Sequence, residues 1–344
     1  MKNTSTSKTR IVGLLLAIVM AIGLAACGAD TGQDTADSGV DAVIEDIGTL
    51  PDNNGIPRGN KNKTKRTPED NLKLYGDIET LVKSVKTPTK PADKTTSMSN
   101  DYGTVDWSTS HQGYITFTAK GQERVFILQG PDDAKSDFTV AKDTSVKVAL
   151  TDGPGKYQYA IANNTNGGKN YHVMYKNSFN VKSIDSDLAP YLVSTAWGDY
   201  ENAPNATSKA KELWDSKNTQ LENVETIADW VGDLDYNRNL KQGTIDVYVN
   251  PDSVIKNGGG VCNEMSKLLV AMLRSKGVPA YYQSGLSSAG TKHAWVCAWV
   301  ELSSSTKDGV TYSKGAWIII EATSGHLELK NSRNYNTESN NYAN

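Results

Sequence analysis

The chain has 344 residues, 36 basic and 39 acidic side chains, a formal net charge of −3, three cysteines and four histidines. Its length is enough for about two domains of roughly 100–200 residues each, and a hydrophobic share of 38%, before the 29 glycines are counted, is typical of a globular protein. The balanced charge argues against nucleic-acid binding, three cysteines are too few for a disulfide scaffold, and four scattered histidines argue against a His-rich metal site, so we expect no metal site.

Residues 1–26 are predicted to be a secretion signal. Three basic side chains precede an apolar run over residues 11–24. This run is too short for a membrane-spanning helix, which needs about 20 residues. The run ends at Leu24-Ala25-Ala26-Cys27, which resembles the lipobox of bacterial lipoproteins. That resemblance implies lipidation of Cys27 and an extracytoplasmic protein anchored to the bacterial cell membrane. The alternative is a plain signal peptide that happens to contain a cysteine.

Residues 27–100 are predicted to be a flexible, lipid-anchored tether. The stretch 28–100 holds five of the eleven prolines and lacks Trp, Phe, His and Cys, so it cannot bury enough apolar surface to fold alone. One short amphipathic helix is expected within it. This helix would start near Pro68 and carry apolar side chains at helical spacing: Leu74, Ile78, Leu81, Val82 and Val85.

Residues 101–185 are predicted to form a small all-β sandwich. Polar and apolar residues alternate there, as in Val146-Lys147-Val148 and Tyr157-Gln158-Tyr159, which is typical of strands with one buried face. Glycine-rich turns separate about six such strands. The tyrosines favour half-buried packing over glycan or peptide binding. His111 and His172 have no partner at metal-ligand spacing and are interpreted as structural or surface residues.

Residues 186–344 are predicted to form an α+β domain, because helical patterns are followed by strand-like ones. A helix should open near Cys262, end at Gly277 and bury the stripe Met265, Leu268, Leu269, Met272 and Leu273. Strand-like runs follow at 280–283, 294–300 and 316–322.

The run Gly258-Gly259-Gly260-Val261-Cys262 places a thiol where glycines meet a predicted helix start. Unpaired N–H groups and the positive end of the helix dipole stabilise a thiolate over a thiol, so Cys262 is a candidate nucleophile. We expect the glycines to let a substrate backbone approach closely and the amide of Cys262 to donate to a developing oxyanion.

A thiol nucleophile needs a base and a group that orients the base. His293 lies 31 residues downstream at the start of a predicted strand, and Glu321 ends the next strand. In this interpretation Cys262 attacks a carbonyl, His293 transfers the proton, and Glu321 fixes the imidazole tautomer and stabilises its cation.

These motifs resemble the transglutaminase-like superfamily of papain-type thiol enzymes over about residues 187–326. The segments that carry the resemblance are Gly260-Val261-Cys262, Leu273-Arg274-Ser275-Lys276-Gly277-Val278-Pro279-Ala280, His293-Ala294-Trp295-Val296, Glu321-Ala322-Thr323 and, upstream, Leu234-Asp235-Tyr236-Asn237. The resemblance implies an α+β fold and cofactor-free acyl transfer through a thioester. Members of the family crosslink glutamine to amines or hydrolyse peptide and amide bonds.

The family usually carries aspartate where this chain has Glu321, which leaves two hypotheses. The favoured one is an enzyme acting on protein or peptide, such as cell-wall peptide, with hydrolysis preferred over crosslinking. The alternative is an inactive surface lipoprotein that serves in binding or adhesion. Trp295 either walls the cleft or packs in the core, Tyr236 is a candidate for the border of the substrate groove, and Cys297 is expected to be a buried hydrophobe.

Overall fold

A computed structural model describes residues 66–85, 95–133, 135–164, 170–236, 248–287, 290–330 and 335–336. The predicted secretion signal and Cys27 lie outside the described residues. None of the helices in these ranges has the length and apolar character needed to span a bilayer.

The described residues begin with helix α1 (Pro68–Leu72) and strand β1 (Glu79–Val85), and then enter an all-β region. Its strands are β2 (Ser97–Ser99), β3 (Gly103–Asp106), β4 (Tyr114–Ala119), β5 (Arg124–Gln129), β6 (Lys135–Val140), β7 (Ser145–Ala149), β8 (Gly155–Asn164) and β9 (Tyr171–Val181). The C-terminal region contains α2 (Pro204–Leu213), α3 (Gln220–Gly232), β10 (Asp235–Tyr236), α4 (Pro251–Lys256), β11 (Gly259–Gly260), α5 (Cys262–Ser275), β12 (Ala280–Ser287), β13 (Lys292–Lys307), β14 (Val310–Glu321), β15 (His326–Glu328) and β16 (Tyr335–Asn336).

The all-β region consists of two four-stranded antiparallel sheets, with strand orders β2-β3-β4-β7 and β6-β5-β8-β9. Aromatic side chains fill the space between them: the rings of Phe117 on β4 and Phe126 on β5 stack with centroids 4.6 Å apart. The sequence predicts about six strands over residues 101–185, where the structure has seven, β3 to β9. Strand β2 (Ser97–Ser99) lies before that range and adds an eighth.

The C-terminal sheet has the strand order β1-β14-β13-β12-β16, and β15 pairs with β14. Helix α5 packs on it with the stripe that the sequence predicts, and Met265, Leu268 and Leu269 are fully buried. On β13, Ala294, Val296 and Ala298 join the same core as α5, which follows from the alternation of side chains along a strand. The fold is therefore mixed α+β, as predicted.

The structure corrects the prediction for residues 66–100. The predicted amphipathic helix ends at Leu72, and Glu79–Val85 is a strand that pairs antiparallel with β14. On the outer side of β1, the N–H groups of Asp187 and Val85 donate to the carbonyls of Val82 and Asp185. Residues 79–85 and 97–99 are thus strands of the two sheets rather than tether, because distant strands supply the burial that the segment cannot supply itself.

The described residues belong to one compact unit. Its largest cluster of buried apolar side chains takes members from both the sandwich and the C-terminal sheet.

Candidate active site

Cys262 is the first residue of helix α5 and is partly exposed. Its neighbour Val261 has extended backbone, and the N–H of Val261 donates to the Glu264 carboxylate at 3.1 Å. The thiol therefore stands at the positive end of a 14-residue helix, where the dipole favours negative charge. Cys262 and Cys297 are not joined by a disulfide.

Gly259, three residues before Cys262, makes room for the protein's own backbone. Gly259 is buried and has a φ of +155°, and a Cβ added there would lie 1.9 Å from the carbonyl oxygen of Asp235. This contact belongs to a parallel pairing in which Asp235 and Tyr236 lie beside Gly259 and Gly260. The expectation that a substrate backbone approaches this glycine is therefore wrong, because β10 already occupies that side.

His293 lies near the start of β13, where its Nε2 is 2.5 Å from Oε2 of Glu321. The His293 side chain also forms a hydrogen bond with Cys262, for which Nδ1 is the ring nitrogen that the carboxylate leaves available. Burial lowers the pKa of His293, but hydrogen bonds and charge interactions with Cys262 and Glu321 outweigh burial and raise this pKa to about 10. A cationic imidazole between a thiol and a carboxylate is the arrangement that stabilises a thiolate.

Glu321 is the last residue of β14, and only 9% of its surface is exposed. Oε2 contacts His293, while Oε1 accepts hydrogen bonds from the backbone N–H of Thr323 at 3.0 Å and from its hydroxyl at 2.5 Å. The structure thus brings Cys262, His293 and Glu321 together. Thr323 was missed as a functional residue, although it lies in the motif Glu321-Ala322-Thr323 that drew attention to the acid.

Trp295 lies behind the imidazole rather than on the wall of a cleft. Its side chain is fully buried, and its ring centroid is 6.5 Å from that of His293. The Trp295 indole N–H donates to Oε1 of Gln283 at 2.8 Å, and the Cys297 thiol donates to the same oxygen at 3.1 Å. Of the two alternatives for Trp295, the structure selects core packing, and it adds Gln283, for which the sequence offers no signal beyond its place in a strand.

Tyr236 is 43% exposed and lies beside Gly260, two residues before the thiol. That position is compatible with the border of a substrate groove, and its role stays a prediction. His111 pairs with Asp185 at 2.9 Å, and His172 and His326 are exposed. Within the described part of the chain, no group of three or more His, Cys, Asp or Glu side chains is arranged to hold a metal ion.

Comparison with known proteins finds a family model, the transglutaminase-like superfamily, that matches residues 207–322. No curated protein matches the sequence.

Solved structures that resemble the chain include a candidate cysteine protease from Cytophaga hutchinsonii, with 15% identity, 61% of this chain and 74% of that chain covered, and a TM-score of 0.34. A candidate protease from Parabacteroides distasonis has 12% identity, covers 63% of this chain and 67% of that chain, and has a TM-score of 0.26. The periplasmic domain of TgpA from Pseudomonas aeruginosa has 14% identity, covers 76% and 85%, and has a TM-score of 0.28.

These TM-scores are too low to show a shared fold, so the similarity is established by the family model. The matched range contains Cys262, His293 and Glu321. Over residues 207–322, the chain is therefore similar to the transglutaminase-like superfamily.

Proposed function

We propose that the protein is an extracytoplasmic cysteine enzyme that acts on peptide or amide bonds through Cys262, His293 and Glu321. The observation that carries this proposal is the convergence of the three side chains at the start of α5, with one carboxylate oxygen on the imidazole and the imidazole on the thiol. The substrate is a protein or peptide, for which peptide of the cell wall is the first class to test.

The reaction starts with the thiolate of Cys262 and the imidazolium of His293 as a pair. The sulfur forms a bond to the carbonyl carbon, and the negative charge that develops on the oxygen lies near the backbone N–H of Cys262 at the helix start. Breaking the C–N bond releases an amine, which takes its proton from His293. Water then attacks the thioester and gives a proton to the ring, and the released acid leaves the thiolate ready for another cycle.

The raised pKa of His293 fits the role of acid toward the leaving amine. At neutral pH the ring is protonated, so a proton is in place when the amine departs. Glu321 stabilises this cation and holds the ring through Nε2, which keeps Nδ1 directed to the sulfur. Hydrolysis is preferred over crosslinking because water is the abundant acceptor at the cell surface.

The proposed location follows from the sequence Leu24-Ala25-Ala26-Cys27. Lipidation of Cys27 would anchor the enzyme to the bacterial cell membrane and direct it to the extracytoplasmic space. In a bacterial host treated with globomycin, which blocks the processing of lipoprotein precursors, the protein should therefore keep residues 1–26 and have a larger mass than in untreated cells. Equal masses with and without globomycin would contradict the anchor.

Reactivity of the thiol tests the enzymatic proposal directly. Iodoacetamide should label Cys262 at neutral pH far faster than the buried Cys297, which serves as an internal control, and His293→Ala should remove most of this advantage. Peptide mass spectrometry resolves the two sites. Equal, slow labelling of both cysteines would favour an inactive binding or adhesion protein.

The reaction products show whether water or an amine accepts the acyl group from the thioester. A library of peptides should be cleaved or deamidated by the wild-type protein and left intact by Cys262→Ala. Addition of a primary amine at high concentration distinguishes the two chemistries, because transfer to the amine adds its mass to the product whereas hydrolysis does not. Absence of any difference between wild type and Cys262→Ala would argue against catalysis.

A further inference from the structure

The two oxygens of the Glu321 carboxylate have different partners. Oε2 contacts the ring of His293, whereas Oε1 accepts two hydrogen bonds from Thr323, one from its backbone N–H and one from its hydroxyl. Both donors come from one residue only two positions downstream in the chain. The bonds therefore close a small ring at the end of β14 and fix where the carboxylate lies.

Such a tether matters for a glutamate because three torsions separate its Cα from the carboxylate oxygens. An untethered glutamate loses rotamer freedom when it is held on one partner, and this loss weakens the interaction. Hydrogen bonds to a charged acceptor are also stronger than those between neutral groups. Thr323 thus supplies the restraint that a long side chain needs in order to present Oε2 to the imidazole in one geometry.

The turn that carries Thr323 is itself braced by helix α3. A Cβ on Gly325, which has a φ of +72°, would lie 2.7 Å from Cα of Asp229 and 2.8 Å from the carbonyl oxygen of Ala228. A Cβ on Gly232 would lie 2.2 Å from the backbone nitrogen of Gly325. The backbone of the turn that carries Thr323 therefore packs directly against the backbone of α3, which holds the turn in place on that side.

We propose that Thr323 is a positioning residue whose hydroxyl locks the Glu321 carboxylate on His293 and so maintains the charged pair of His293 and Cys262. This inference rests on the proposed function, because it assigns Thr323 a part in the same site. Thr323 acts through Glu321 and is not expected to touch the substrate.

The test compares Thr323→Val, which removes the hydroxyl and nearly keeps the shape, with Thr323→Ser, which restores a hydroxyl. Thr118→Val is the matched control, since Thr118 also forms a side-chain hydrogen bond, to Ser145, but lies in the sandwich. The measured quantity is the iodoacetamide labelling rate of Cys262 at about pH 6 divided by the rate at about pH 10. At low pH the thiolate depends on its cationic partner, whereas at high pH it forms without help.

Thr323→Val should lower this ratio about tenfold, which corresponds to the loss of one hydrogen bond to a charged group. Thr323→Ser should return it close to the wild-type value, and Thr118→Val should leave it unchanged. A general loss of structure would expose Cys297 and raise its labelling rate at both pH values. The labelling rate of Cys297 therefore reports on folding in each variant.

A wild-type ratio in Thr323→Val would overturn the proposal, and so would a ratio that Thr323→Ser fails to restore, since packing of the methyl group would then be the cause. Failure of the proposed function gives a different result. In that case wild-type Cys262 itself would show the ratio of a simple model thiol and no dependence on His293, whatever the substitution at Thr323.

Discussion

The sandwich and the C-terminal sheet are built from strands that differ in how far apart their partners lie in sequence. Each strand of the sandwich finds its partners within residues 97–181. The C-terminal sheet instead takes its edge strand from Glu79–Val85, which pairs with Val310–Gly315 across the whole sandwich sequence. All strands of the sandwich therefore come from one continuous stretch of sequence. The sheet that carries His293 and Glu321 also needs a strand from a segment that precedes the sandwich.

The largest expected effect follows from removing that segment. A chain that begins at residue 95 lacks β1 and the buried side chains of Leu72 and Tyr75, so β14 becomes an exposed edge. We expect strands β12–β14 to lose protection from hydrogen exchange and Cys262 to lose its fast labelling, while β4, β5 and β8 keep their protection. Peptide-resolved hydrogen exchange measures both regions in one experiment.

The control for this truncation is a chain that begins at Arg66, which keeps every contact described for β1. Equal protection of β14 in the two chains would show that the N-terminal strand is dispensable. The pairing of β1 with β14 would then add nothing measurable to the stability of the C-terminal sheet.

Helix α5 and the three candidate catalytic residues could be predicted because local sequence patterns mark them. The stripe on α5 recurs at helical spacing, the glycines mark its start, and the order Cys262, His293, Glu321 follows from motif chemistry. The sequence predicts a helix where strand β1 lies, because Leu81, Val82 and Val85 fit a helical spacing and only pairing with β14 makes the segment a strand. The roles of Thr323 and Gln283 could not be predicted, although Thr323 lies in the motif Glu321-Ala322-Thr323, because hydrogen bonds between side chains appear only once the fold is known.

A pair of core substitutions sharpens the comparison at a smaller scale. Phe126 is fully buried and stacks on Phe117, so Phe126→Ala should lower the free energy of unfolding by about 3–5 kcal/mol. Leu72 in α1 is also buried, and Leu72→Ala should cost about 2–5 kcal/mol. Hydrogen exchange should rise first in the sandwich for Phe126→Ala and first in β13 and β14 for Leu72→Ala.

Chemical denaturation measures the free energy of unfolding of the two variants, and hydrogen exchange shows which region each substitution destabilises. The two regions share one cluster of buried apolar side chains, which could couple their stabilities. If both variants raise exchange equally in both regions, the shared cluster makes the molecule one cooperative unit, and strand connectivity does not separate their stabilities.

The smallest expected effect comes from two glycine substitutions, one in each region. A Cβ on Gly232 would meet the backbone of Ser324 and Gly325 at 2.2–2.3 Å, so Gly232→Ala must displace the turn that holds Thr323, at a cost of about 1–3 kcal/mol. Gly153 in the sandwich has a φ of +77° but nothing within 4 Å of an added Cβ. Gly153→Ala should therefore cost about 1 kcal/mol through backbone strain alone.

The two costs are similar, but their consequences at the thiol should differ, and this difference is the informative measurement. Gly232→Ala should slow iodoacetamide labelling of Cys262 at about pH 6, because a displaced turn releases Oε1 of Glu321 and weakens the pairing of His293 with the carboxylate. Gly153→Ala, which strains a turn of the sandwich, should leave labelling unchanged. Equal labelling in both variants would mean that the turn tolerates displacement without moving the carboxylate, and that contact with α3 stabilises the sheet without setting the geometry of the site.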